Sequence, residues 1–161
     1  MNHAISFADV HKYVVEHLGT VFETMLSIKA VPTAEPDTSQ FGDGRVSGTV
    51  GFAGKTVVGS VYLHVTAPFA CQAAAAMLGL PPEEITGAAE VNDVIGEVTN
   101  MLAGGLKSWL CDAGALCALT TPAVIRGTSY SVATNPDVER IQIGFDCGSS
   151  RGLAEIHIKF N

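Results

Sequence analysis

Positive charge is scarce in this chain: 9 Lys and Arg stand against 16 Asp and Glu, a formal net charge of −7 over 161 residues. No basic cluster is available to neutralise phosphates, which excludes non-specific nucleic-acid binding. No apolar run reaches the roughly 18 residues that a membrane-spanning helix needs. The amino-terminal stretch "MNHAISFADVHKYVVEHLG" lacks a basic segment followed by an apolar one, so no signal peptide is expected and a cytoplasmic protein is. The four cysteines, Cys71, Cys111, Cys117 and Cys147, contain no CxxC pair and match no zinc spacing. Small apolar neighbours make them read as buried thiols in a reducing compartment. Charged residues are only 16% of the chain and hydrophobic ones 47%, which excludes a disordered chain.

The elements follow from periodicity. Between residues 5 and 27 the apolar positions Ile5, Val10, Tyr13, Val14, Leu18, Val21, Phe22, Met25 and Leu26 predict a helix with one buried face. Pro32 and Pro36 then predict a loop or an irregular edge strand. From Arg45 the period changes to two, and a turn at "AGK" leads to a second strand, Val57 to Val65, which makes a hairpin. Pro68 opens a second helix ending near Gly79. A long third helix runs from Glu83 or Ala88 to about Cys111. Beyond Pro122, residues 123–133, 138–147 and 153–160 read as strands. Helix, hairpin, two helices and a run of strands is an α+β pattern with a mainly antiparallel sheet. No linker or internal repeat interrupts it, so residues 1–161 read as a single domain.

Conventional catalytic constellations are absent. "GFAGKT" suggests a phosphate loop, but Thr49 stands where the first glycine is required and a strand, not a helix, follows. The five histidines, His3, His11, His17, His64 and His157, form no two-His metal motif. There is no Gly-x-Ser-x-Gly elbow. No metal and no cofactor held by this chain is expected.

The third helix carries the informative pattern, "AEVNDVIGEVTNMLAGGLKSWL". Val91, Val94, Ile95, Val98, Met101, Leu102, Leu106, Trp109 and Leu110 form a buried stripe. Asp93, Glu97, Asn100, Gly104 and Lys107 step by four and three, so they share one line on the opposite side. Most such lines are only a solvated helix face. Yet Asn and Gly are poor mid-helix residues, costing up to about 1 kcal/mol each against Ala. The sharper reading is a docking ridge, with an acid to pair with a cation and an amide able to donate and accept.

"DVIGEVTN", followed by Pro122 in "TTPAV", resembles the active-site signature of the CheC/CheX/FliY family of chemotaxis phosphatases, which dephosphorylate the response regulator CheY. "IGEVTNMLAGGL" is similar to the CheX branch in particular. The element order matches over nearly the whole chain; the specific part is the helix and the proline. A second copy of the motif is missing from the first helix, where Glu23 is followed three on by Leu26 and Glu16 by Gly19. One copy is the CheX arrangement.

The resemblance implies a CheC-like fold, with a long exposed active-site helix packed on a sheet, and a homodimer. It implies a phospho-aspartate on a CheY-like receiver as substrate, with Mg²⁺ held by the receiver. In that setting Asn100 would orient an in-line water and Glu97 would anchor the receiver's lysine. Asp93 would serve recognition or solvation, and Pro122 would shape the loop under the helix. Gly104 and Gly96 would leave the partner room to approach. Gly105, near the apolar stripe, is expected to serve helix–sheet packing instead, and Lys107 to be a solvated charge at the helix end. Two other readings stay open: a non-catalytic module binding a receiver or a flagellar-switch partner, and a small-molecule-binding domain with a deep ligand pocket.

Overall fold

In the computed structural model, which describes residues 4–34, 41 and 44–161, helix α1 (Phe7–Leu26) starts where Ser6 and Asp9 make a reciprocal capping box. Each of the two satisfies a backbone N–H that the helix leaves without a partner. Val10, Val14, Leu18, Val21, Phe22 and Leu26 of α1 are buried on one side, the stripe the period demanded. A short strand β1 (Ala30–Pro32) follows, and Pro36 lies outside the described residues. Strands β2 (Arg45–Gly54) and β3 (Val57–Thr66) form the hairpin. Helix α2 (Ala67–Leu78) is capped by the Thr66 hydroxyl accepting from the Phe69 N–H. Pro82–Glu84 is a separate 3-10 turn, so the long helix α3 begins at Ala88 and ends at Asp112. Strands β4 (Cys117–Leu119), β5 (Ala123–Gly127), β6 (Glu139–Cys147) and β7 (Ser150–Phe160) complete the chain.

All pairings are antiparallel, in the order β1-β6-β7-β3-β2, with both β4 and β5 against β2. β4 lies opposite Phe52–Gly54 and β5 opposite Arg45–Thr49. Between them Pro122, lacking an N–H, interrupts the ladder. The step is held at Thr120, whose N–H donates to the Gly51 carbonyl at 2.8 Å while its hydroxyl accepts from the Gly51 N–H at 2.8 Å. The α+β class with an antiparallel sheet is as expected. The sequence reading missed β4, which is only three residues long, and it extended the strand after Pro122 too far. That strand stops at Gly127 because Tyr130 turns back over the sheet, its hydroxyl 2.5 Å from Ser47 Oγ and its ring 3.7 Å from the Arg45 guanidinium.

Alternation decides which side of the sheet meets the helices. Val46, Val50 and Phe52, Val61, Leu63 and Val65, Ile141, Ile143 and Phe145, and Ala154, Ile156 and Ile158 join Leu18, Phe22, Ile95, Leu102 and Leu106 in one buried cluster. Each such large side chain contributes about 1.5–3 kcal/mol by leaving water. At Gly48, on the same side of β2, a methyl group would collide with Thr99 Oγ1 and come within 3.1 Å of the Ile95 carbonyl. α3 therefore sits on β2 as closely as backbone permits. Gly48→Ala is expected to lower stability by about 1–3 kcal/mol, measured by urea unfolding, through overpacking. Adding Thr99→Ala should recover part of that loss, because it removes the atom that collides. Additive losses would show that the contact is not the cause.

A candidate active ridge on helix α3

Packing on one side fixes what α3 shows on the other. Val91, Val94, Ile95, Val98, Leu102, Leu106 and Leu110 are buried, and Met101 and Trp109 are partly so. Glu97 and Asp93 are exposed; Asn100, Gly104 and Lys107 are half-buried. Glu97 and Asn100 lie one turn apart, about 4.5 Å along the axis. Neither side chain has a hydrogen bond or ion pair among the described residues, so the i,i+3 contact a solvated face could have used is not made. A carboxylate and an amide are thus presented unpartnered, side by side. An amide in this position can accept a hydrogen bond through its carbonyl and donate two through its NH₂. The α-helix and its packing on the sheet hold both backbones in place, and no side-chain hydrogen bond among the described residues ties either side chain down.

The glycines separate into different roles. A methyl group at Gly104 would meet nothing within 4 Å, so the ridge is open there. Gly96 is buried: its methyl group would rest 3.7 Å from Pro122 Cβ and 3.7 Å from Val124 Cγ2. A methyl group there would fit in ordinary contact with the segment leading into β5, and the position is covered and does not face an approaching partner. Pro122 is exposed, and its Cβ lies at the level of Gly96 on α3. Gly105 answers to a helix, not to the sheet. A methyl group there would strike the imidazole of His17, whose Nε2 lies 3.1 Å from the Met101 carbonyl. Tyr13 stacks on both His17 and Trp109, with ring centroids 5.5 and 5.1 Å apart, and closes this α1–α3 contact. Toward the start of α3, Arg126 Nε donates to Asn92 Oδ1 at 2.5 Å and ties β5 to the ridge. Lys107 is half-buried, more enclosed than a simple end-of-helix charge.

A second polar cluster, on the side of the sheet away from the helices, was not foreseen. The histidines read as scattered, yet β3 and β7 bring His64 and His157 to the same carboxylate. Glu155 accepts from Arg140 Nε and Nη2 at 3.1 and 3.0 Å and from Gln142 at 3.2 Å, and its Oε2 lies 2.9 Å from His157 Nε2. His64 Nδ1 is 2.6 Å from Ser47 Oγ, and its Nε2 stands 3.6 Å from Glu155 Oε1 without a hydrogen bond. Burial lowers the His64 pKa to about 4, against the pull of Glu155 in the other direction. Burial pushes Glu155 up, but the hydrogen bonds from His157, Arg140 and Gln142 outweigh it and bring it down to about 2. Period-two spacing within each strand places these residues on one side, but only the strand order makes them neighbours. Among the described residues no three His, Cys, Asp or Glu side chains are arranged to hold a metal ion. The cysteines also depart from expectation: Cys147 is buried, but Cys71, Cys111 and Cys117 are half-buried.

Among the described residues, clefts of about 400, 520 and 280 Å³ are lined by the β3–β7 region, the β2–β4 end, and residues 4–5 with 160–161, away from Glu97 and Asn100. No helix among the described residues is long and apolar enough to cross a membrane.

A family model described as chemotaxis phosphatase CheX matches residues 46–146, which span β2 to β6 and include the whole ridge. No curated protein sequence matches significantly. Solved structures are similar over nearly their full length. The chemotaxis protein CheX from Vibrio vulnificus is 26% identical, with 97% of this chain and 100% of that one covered, at a TM-score of 0.80. A CheC-like superfamily protein from Shewanella is 28% identical, with 96% and 99% covered, at 0.79. A chain of the Borrelia burgdorferi CheX–CheY–BeF₃–Mg²⁺ complex is 21% identical, with 97% and 99% covered, at 0.75, and shares the fold. With its antiparallel sheet, its long α3 and a family match across more than half its length, this chain belongs to the CheX family of chemotaxis phosphatases.

Proposed function

We propose that the protein is an aspartyl-phosphate protein phosphatase that dephosphorylates a CheY-like receiver, with residues 1–161 as one phosphatase domain. The observation that carries this reading is the unpartnered pair Glu97 and Asn100 on an open face of α3, within a chain of the CheX family. The structural neighbour that is a complex of CheX with CheY, BeF₃ and Mg²⁺ supports a receiver as the partner. A protein substrate suits a ridge better than a cleft.

The chemistry follows from the substrate. An acyl phosphate has a good leaving group, so hydrolysis depends on positioning and charge stabilisation more than on a strong base. Asn100 reaches into the receiver's site and its carbonyl accepts a hydrogen bond from one water, holding that water in line with the scissile phosphorus–oxygen bond. The water oxygen bonds to phosphorus as that bond breaks, and the receiver's aspartate leaves as carboxylate. Glu97 pairs with the receiver's active-site lysine, a charge-assisted contact that sets register. Asp93 adds recognition at the near end of the ridge, Gly104 leaves room for close approach at the far end, and Pro122 flanks it. Mg²⁺ belongs to the receiver; this chain holds no cofactor. The protein works in the cytoplasm, as a homodimer.

The test follows loss of ³²P from phosphorylated CheY-like receivers of the same organism with Mg²⁺ present. Acceleration by the wild type is expected. Binding without acceleration across all cognate receivers would make the protein a non-catalytic receiver- or switch-binding module instead. Sedimentation equilibrium tests the dimer, which a monomer at micromolar concentration would refute.

A further inference from the structure

Cys111 sits in the last turn of α3 and Cys117 opens β4, so the two belong to different elements only six positions apart. The chain reverses between them. The Gly114 N–H donates to the Cys111 carbonyl at 3.0 Å, the Ala115 N–H donates to the Leu110 carbonyl at 2.8 Å, and Gly114 takes a φ of +96°. This tight reversal lays residue 117 alongside residue 111. The Cys111 thiol donates to the Cys117 carbonyl oxygen at 3.7 Å, which sets the two cysteines side by side. Both are half-buried and so reachable by a small oxidant. The other two cysteines are placed elsewhere, Cys71 in α2 and Cys147 in β6, where the Cys147 thiol donates to the Ser150 carbonyl at 3.5 Å.

We propose that Cys111 and Cys117 form a reversible disulfide that clasps the carboxyl end of α3 to β4. With a peroxide as oxidant, the Cys111 sulfur attacks one peroxide oxygen; a sulfur–oxygen bond forms, the oxygen–oxygen bond breaks, and the leaving hydroxide takes the thiol proton as water. The Cys117 sulfur then attacks the sulfenyl sulfur; the sulfur–sulfur bond forms, and hydroxide leaves with the second thiol proton as a second water. Burial and the neighbouring Cys111 raise the Cys117 thiol's pKa, which slows the resolving step because the attacking species is the thiolate. Closing the bond requires the sulfurs to reach about 2.05 Å, by rotation of the two neighbouring side chains. Because the chain runs on from β4 through Thr120 to Pro122, the clasp joins the end of α3 to the segment leading into β5. It does not depend on the phosphatase reading.

The test treats the protein with hydrogen peroxide, blocks remaining thiols with iodoacetamide, and cleaves on the amino side of aspartate, which cuts between the two cysteines at Asp112. The fragments ending at Cys111 and beginning at Asp112 should remain joined and separate on reduction with dithiothreitol. Cys71 and Cys147 should stay alkylatable after denaturation. The thermal midpoint should rise by about 5 °C on oxidation and return on reduction in the wild type. Cys117→Ser should show neither change, and should accumulate a dimedone-reactive sulfenic acid at Cys111 instead. Fragments that always separate, with both thiols alkylated, would overturn the clasp. So would a link that joins two copies through Cys71.

Discussion

Asn100→Ala should cut receiver dephosphorylation by about 100-fold or more while leaving the fold at least as stable as the wild type. The first half of that expectation comes from the proposed chemistry: the chain contributes orientation of one water, and losing a well-placed catalytic group commonly costs two orders of magnitude. The second half comes from the helix. Asn100 is half-buried, its side chain makes no hydrogen bond among the described residues, and it sits in the middle of a helix where Ala is favoured over Asn by several tenths of a kcal/mol. A residue that lowers stability and is kept for activity should show this opposed pair of effects. Asn100→Gln retains the amide but moves it about 1.5 Å outward, and should recover little activity. Glu97→Ala should act differently. If it anchors the receiver, its loss raises KM more than it lowers kcat, and the increase shrinks at high salt, where the lost ion pair matters less. A fully active Asn100→Ala protein would refute the water-orienting role even with the family assignment intact.

How much of this was legible from residues alone depended on the range of the interactions. The ridge on α3 was readable because a helix repeats locally: the buried stripe from Val91 to Leu110 fixes where Glu97 and Asn100 point, whatever the rest of the fold does. The hairpin β2–β3 was readable for the same reason. Where the reading failed, a long-range contact decided. Gly96 and Pro122 are neighbours only because β5 returns beside α3, and Gly105 is small because His17, from another helix, lies against it. β4 is three residues without a pattern of its own, defined by pairing with Phe52–Gly54. The His64–Glu155–His157 cluster depends on β7 pairing with both β3 and β6, an order no local period encodes.

That cluster should control how the protein responds to acid. Facing His64 are Arg45 and Ser47 from β2, Tyr62 on its own strand, Glu155 and His157 from β7, Arg140 from β6, and Tyr130 from the returning segment. Its pKa, about 4 in the fold, lies below the ordinary 6.5 because burial disfavours the charged ring. The unfolded chain therefore takes up a proton that the folded chain refuses. Stability from this group is fully present above pH 6.5 and is lost as pH falls through 6.5 toward 4, by about 3 kcal/mol in all. Glu155 acts in the same direction at lower pH. Its pKa falls from 4.5 to about 2, so the folded state keeps a carboxylate that the unfolded chain protonates, and stability is lost as pH falls from 4.5 toward 2. Urea unfolding at successive pH values should show the two stages in sequence. His64→Gln, which cannot be protonated and can still pair with Ser47, should flatten the first stage and leave the second. Glu155→Gln should instead lower stability at pH 7, by about 3 kcal/mol, because it removes the charge that Arg140 and His157 share. If the wild type and His64→Gln gave parallel stability curves between pH 6.5 and 4, the acid response would have to arise elsewhere in the molecule.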